Sequence, residues 1–183
     1  MRDRMLAGEP YLADDPELVR ERQHAMALME AFNRSPASGP ALRRRLLTQL
    51  LGAYGPDAEI RPPFYCDYGY QTRVGARTFV NFGLTVLDTA SVTVGDDVQI
   101  GPHVQLLTAT HPLDPGRRRD KWESAAPINV EDNAWLGGGV IVCPGVTIGE
   151  NTVMGAGSVV TRDQPPNVVA FGVPARVARS PDG

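Results

Sequence analysis

Residues 133–161 read NAWLGGGVIVCPGVTIGENTVMGAGSVVT, and their spacing decides the fold. Leu136, Val142, Ile148, Met154 and Val160 recur every six residues. Upstream, Val130 belongs to the same series, and Val94, Ile100 and Leu106 keep the same step. Before a two-residue slip, the series reads Tyr68, Val74, Val80 and Val86. Glycine often follows the aliphatic, as at Gly69, Gly75, Gly95, Gly101, Gly137, Gly149 and Gly155. A smaller class precedes it by two positions: Thr72, Thr78, Val92, Val98, Val104, Ala134, Val140, Val146, Thr152 and Ser158.

A β-sandwich would alternate with a period of two, broken by irregular turns. A six-residue period marks a parallel β-helix, each unit giving one flat face and one corner. The aliphatic is expected to point inward, with the smaller class filling the remaining interior. Glycine is expected at the corner because the backbone there needs positive φ. No coil buries its core alone, so the stack is one cooperative unit.

The period breaks once. Between Leu106 and Val130 the chain carries Asp114-Pro115-Gly116 and Arg117-Arg118-Arg119, which are turn and surface chemistry. This segment, 109–127, is expected to be a loop extruded from the scaffold, and such loops often carry function. His111 stands at its root.

Before the repeats the period is helical. Leu18, Val19, Met26, Leu28, Met29 and Phe32 recur at three- and four-residue spacings. Ser35–Pro40 is turn-forming, and Leu42, Leu46, Leu47, Leu50 and Leu51 follow before Gly55-Pro56. A helical hairpin over 16–54 is predicted. The expected division is a helical segment, 1–57, and a β-helix domain, 58–183, with the extruded loop and a C-terminal tail.

Composition excludes several function classes. A net charge of −3 in 183 residues does not suit general attraction to nucleic acid. No apolar run is long enough for a bilayer, and MRDRMLAGEPYLADD lacks a signal-peptide core. Cys66 and Cys143 form no CxxC pair, so neither a disulfide framework nor a thiolate zinc site is indicated. No metal site is expected, since His24, His103 and His111 do not make a convergent histidine set. A reducing, cytoplasmic setting is the expectation, and GxSxG is absent.

The chain resembles the maltose and galactoside O-acetyltransferase family, with nodulation acetyltransferases as near relatives. The resemblance rests on MLAGEPY (5–11), CDYGY (66–70), FVNFGLTVLD (79–88), TATHPLDP (108–115), the 133–161 stretch and PPNVVAFGVPARV (165–177). It implies a mainly β fold, a left-handed parallel β-helix. It further implies direct acetyl transfer from acetyl-CoA, a co-substrate rather than a bound cofactor, to a small sugar, in a homotrimer.

By the same resemblance His111 is the general base. A sugar hydroxyl is a poor nucleophile until a group such as neutral imidazole accepts its proton. Asn81 matches a residue that binds acceptor or oxyanion; its alternative is a structural corner, since asparagine tolerates left-handed backbone. Asp88, Asp67, Arg22 and Asp15 (or Asp14) match acceptor positions, although Asp88 could instead hydrogen-bond a distorted corner. Trp135, Gly138, Ala156, Thr161, Arg162, Arg176 and Arg179 match the acetyl-CoA side. Arginine suits phosphates by charge and fork geometry. Another acceptor, or a β-helical scaffold without catalysis, are the competing readings.

Overall fold

The computed structural model describes residues 1–180. From Ala53 onward the chain winds as a β-solenoid of about 6 turns with three flat faces. The first face stacks Tyr54, Val74, Val94, Val130 and Ile148 in parallel register. The second stacks Ile60, Val80, Ile100, Leu136, Met154 and Ala170. The third stacks Cys66, Val86, Leu106, Val142 and Val160. Apart from Tyr54, which is half-buried, these side chains are buried inside the prism, and the smaller class from Thr72 to Ser158 is buried with them. Period six therefore becomes one inward side chain per face.

Three expectations need correction. The second helix ends at Leu50, and Ala53–Tyr54 already pair with Arg73 and Val74 as the first strand of the solenoid. Packing overrides the leucine spacing here: a Cβ on Gly52 would fall 2.2 Å from the Tyr70 carbonyl oxygen. Tyr68 is not in the prism, because Cys66 pairs with Val86 and an eight-residue step leads from Cys66 to Val74. Tyr68 instead packs with Met5, Tyr11 and Leu18 in a second apolar cluster.

The third correction concerns the corner glycines. Of the seven glycines, Gly69 has positive φ, whereas Gly75, Gly95, Gly101, Gly137, Gly149 and Gly155 do not. They are small because adjacent coils touch there: a Cβ on Gly101 would lie 2.6 Å from the Gly138 nitrogen, and one on Gly149 2.5 Å from the Pro166 nitrogen. Left-handed backbone comes two residues later, at Arg77, Asp97, Asn133 and Asn151 on the corner between the first and second faces. Gly83, His103, Gly139 and Gly157 hold it on the corner between the second and third.

The helical hairpin, Pro16–Asn33 and Pro40–Leu50, closes the first coil. Ala25, Met29, Phe32, Leu46, Leu47, Leu50 and Leu51 belong to the same apolar core as the prism. Asn33 ties the two parts: its Nδ2 donates to the Phe64 carbonyl, and its Oδ1 accepts from the Phe64 N–H. No helix among the described residues is long and apolar enough to cross a membrane.

The extruded segment is ordered. Ala109–Thr110 and Trp122–Ala125 form an antiparallel arm with a helical turn, Pro115–Arg119, at its tip. Tyr11–Leu12 adds to the arm's outer edge opposite Glu123 and Trp122. The N-terminus thus becomes the third strand of the arm.

Candidate active site

The arm leaves the solenoid at the third corner, between the third face and the next first face. His111 follows the Ala109–Thr110 strand, and its side chain is 56% exposed. Glu123 stands on the opposite strand, its Oε1 3.8 Å from His111 Nδ1. That separation is electrostatic contact, longer than a hydrogen bond. The second oxygen of Glu123 is anchored: buried Tyr11 donates its O–H to Oε2 at 2.8 Å. Burial, reinforced by Glu123, holds the Tyr11 phenol well above its ordinary pKa, so it remains a donor.

Beside this pair lie Asp67 and Arg22. Burial raises the Asp67 carboxyl above the usual range, Arg22 opposes that shift, and Glu123 adds to it. Tyr68 is pushed up to about 12, mainly by burial and against the influence of Arg22. Arg22 also donates to the Ala13 carbonyl. The structure therefore gathers His111, Asp67 and Arg22 at one corner, together with Glu123 and Tyr11. Sequence reading missed the last two. Nothing in the linear spacing signals their meeting, since Tyr11 and Glu123 are 112 positions apart.

Asp88 lies in the same corner but has 0% exposure. Its Oδ1 accepts from the Asp67 and Tyr68 N–H groups, and its Oδ2 from the Thr72 hydroxyl. Fully enclosed within the chain, it holds the corner that presents Asp67. Burial, partly opposed by these hydrogen bonds, raises its pKa to about 6. Asp15 caps the helix Pro16–Asn33 by accepting from the Glu17 N–H, and Asp14 is exposed.

Other residues lie elsewhere on the prism. Asn81 is on the second corner, where its Oδ1 accepts from the Phe82 N–H. Its φ is not positive; Gly83 supplies the left-handed residue there. Gly138 and Ala156 occupy, on lower coils of that edge, the place that Phe82 takes beside Asn81, and Gly157 N–H donates to the Gly138 carbonyl. Trp135 projects from the second face, 54% exposed. Thr161 and Arg162 are exposed on the third corner, two coils below the arm. Arg176 and Arg179 lie on Ala175–Arg179, a strand antiparallel to Val169–Gly172. Within one chain, Asn81 and Trp135 are not brought to His111. His103 faces Gly83 rather than the arm, and His24 is on the hairpin.

A parallel solenoid of six-residue units with an arm at the third corner defines a hexapeptide-repeat protein. The bacterial transferase hexapeptide pattern matches residues 127–162, and the maltose acetyltransferase hexapeptide capping motif matches residues 4–55. Galactoside O-acetyltransferase of Lactococcus lactis is 42% identical, over 96% of this chain and 86% of its own. A maltose O-acetyltransferase of Clostridium difficile superposes with a TM-score of 0.96 at 42% identity, covering 98% of this chain and 96% of the other. A hexapeptide-repeat acetyltransferase of Vibrio cholerae, solved with acetyl-CoA, superposes with a TM-score of 0.91 at 40% identity, covering 97% and 96%. The chain belongs to the maltose and galactoside O-acetyltransferase family, and its solenoid is the left-handed β-helix of that family. It is an acetyltransferase.

Proposed function

We propose that this enzyme transfers the acetyl group of acetyl-CoA to a sugar hydroxyl of the maltose, glucose or galactoside type, with His111 as general base. One observation carries the reading: exposed His111 has Nδ1 turned toward an anchored carboxylate, which leaves Nε2 for a ligand. In the reaction Nε2 accepts the hydroxyl proton as the oxygen attacks the thioester carbonyl. The tetrahedral intermediate then collapses, the C–S bond breaks, and the proton passes to the departing thiolate. Glu123 orients the ring and offsets the positive charge it gains.

Asp67 and Arg22 are assigned to the acceptor, with Asp88 and Asp15 supporting them through the corner and the helix cap. Trp135, Gly138, Ala156, Thr161, Arg162, Arg176 and Arg179 are assigned to acetyl-CoA, and the Asn81 amide to the oxyanion. The acetyl-CoA complex of the Vibrio relative supports the donor.

The same layout supports a homotrimer, the assembly assigned here. His111 and Asp67 lie on the third corner, whereas Asn81, Gly138 and Ala156 lie on the second. A complete site therefore needs one subunit's third corner against its neighbour's second. A fully active monomer in sedimentation would refute the shared site. A cytoplasmic setting suits the two free thiols, Cys66 and Cys143.

The deciding experiment offers a panel of sugars with acetyl-CoA and follows free thiol. Sugar-dependent thiol release with an O-acetylated product is expected. Release with amino sugars alone would replace this acceptor class, and release with none would overturn catalysis.

A further inference from the structure

We infer that the pocket before His111 selects an acceptor bearing an anionic group, with Lys121 as the residue that recognises it; this rests on the acetyltransferase reading above. Lys121 lies between the arm's tip and the strand Trp122–Ala125, at φ +65. Glycine or asparagine would hold that left-handed backbone at lower cost than lysine. The turn's backbone is already secured: Lys121 N–H donates to the Arg118 carbonyl, and the Lys121 carbonyl accepts from the Ala13 N–H. The turn geometry therefore gives no reason for a long cationic side chain.

Lys121 lines a cavity of about 300 Å³ with His111, Arg118 and Glu123. The volume is at the lower end of small-molecule sites. The carboxylate in the cavity is engaged, with Tyr11 on one oxygen and His111 near the other. Arg118 commits one nitrogen to the Pro112 and Leu113 carbonyls, at 2.8 and 3.1 Å, and so fixes the backbone just after His111. Arg117 turns to the Trp122 ring, 5.6 Å away. Among the described residues, no carboxylate pairs with the Lys121 ammonium. The exposed rim of the pocket is thus cationic, with one ammonium uncommitted. A carboxylate, phosphate or sulfate on the acceptor sugar supplies its counter-charge, and a charge-assisted hydrogen bond is about twice as strong as a neutral one.

The test measures thiol release at saturating acetyl-CoA with three acceptors sharing one ring: a neutral hexose, its uronate and its 6-phosphate. Wild type is expected to show kcat/KM about tenfold or more higher for an anionic acceptor than for the neutral one. The better of uronate and phosphate identifies the anion. Lys121→Arg should keep the preference. Lys121→Asn, which suits the left-handed backbone, should bring the ratio close to one through the anionic acceptor's KM. Equal or better use of the neutral hexose would overturn the proposal and leave the acetyltransferase reading intact. So would a preference that survives Lys121→Asn, or a rise in the acetyl-CoA KM in place of the acceptor KM. Failure of all three acceptors to give thiol release would instead overturn the acetyltransferase reading, and the proposal with it.

Discussion

Glu123 reaches His111 with one carboxylate oxygen, at 3.8 Å, while Tyr11 fixes the other at 2.8 Å. The pair joins two strands of the arm, and a third strand from the N-terminus locks it. Glu123→Gln retains a hydrogen-bond acceptor for Tyr11 but removes the charge facing the imidazole. We expect kcat to fall roughly 10- to 100-fold with the acceptor KM little changed. This is less than the ~10⁴-fold seen where a carboxylate bonds its histidine directly, because 3.8 Å is contact without a hydrogen bond. Steady-state kinetics beside wild type checks this. An unchanged kcat would remove Glu123 from the mechanism.

His111→Ala should remove acetyl transfer while leaving the fold and acetyl-CoA binding in place. The side chain is exposed on the arm and fills no part of the prism, so the melting temperature should hold. General-base catalysis supplies ~10²–10⁴-fold, and the loss should appear in kcat. Calorimetric titration with acetyl-CoA should give wild-type affinity. Retention of more than about a tenth of kcat with a saturating sugar would disprove the assignment.

Asp88 makes a prediction about pH and stability. Its pKa is raised to about 6 in the folded protein, against an ordinary 3.8. The folded state therefore binds the proton more tightly than the unfolded state does. The contribution favours folding fully below about pH 4 and is lost as pH rises through about 6, a change on the order of 3 kcal/mol. Asp88→Asn cannot titrate, yet its carbonyl can accept from the Asp67 and Tyr68 N–H groups and its amide can donate to Thr72. Denaturant melts should show the Asn variant gaining on wild type between pH 4 and 6. Asp88→Ala leaves two buried N–H groups without an acceptor and should be about 2–4 kcal/mol less stable than the Asn variant. If wild type and the Asn variant share one pH profile, the shift at Asp88 is wrong.

The solenoid was legible in the sequence because a β-helix repeats one local environment. Leu136, Val142 and Ile148 meet the same interior six residues apart, so their spacing is the fold itself. The register failed where the repeat length changed. Tyr68 looked like one more aliphatic position, but the eight-residue step at the third corner sends it outward into a cluster with Tyr11 and Leu18. Most corner glycines, Gly69 excepted, were found for the wrong reason: the close neighbour of Gly101 is Gly138, a residue of the next coil.

By itself, then, the sequence determined the scaffold, the place of the extruded arm and the histidine at its root, since each is a matter of spacing along one chain. Only the tertiary structure decided what surrounds that histidine. Glu123 and Tyr11 meet through antiparallel pairing of the N-terminus with the arm, across 112 positions. Asp88 is a hydrogen-bonded corner because the coils above and below enclose it, which no local pattern encodes. Asn81 and His111 stand on different corners because the prism has three, and a chain folded alone cannot bring them together. The repeat sets which side chains face inward; the stacking of coils and the pairing of distant strands set which face one another.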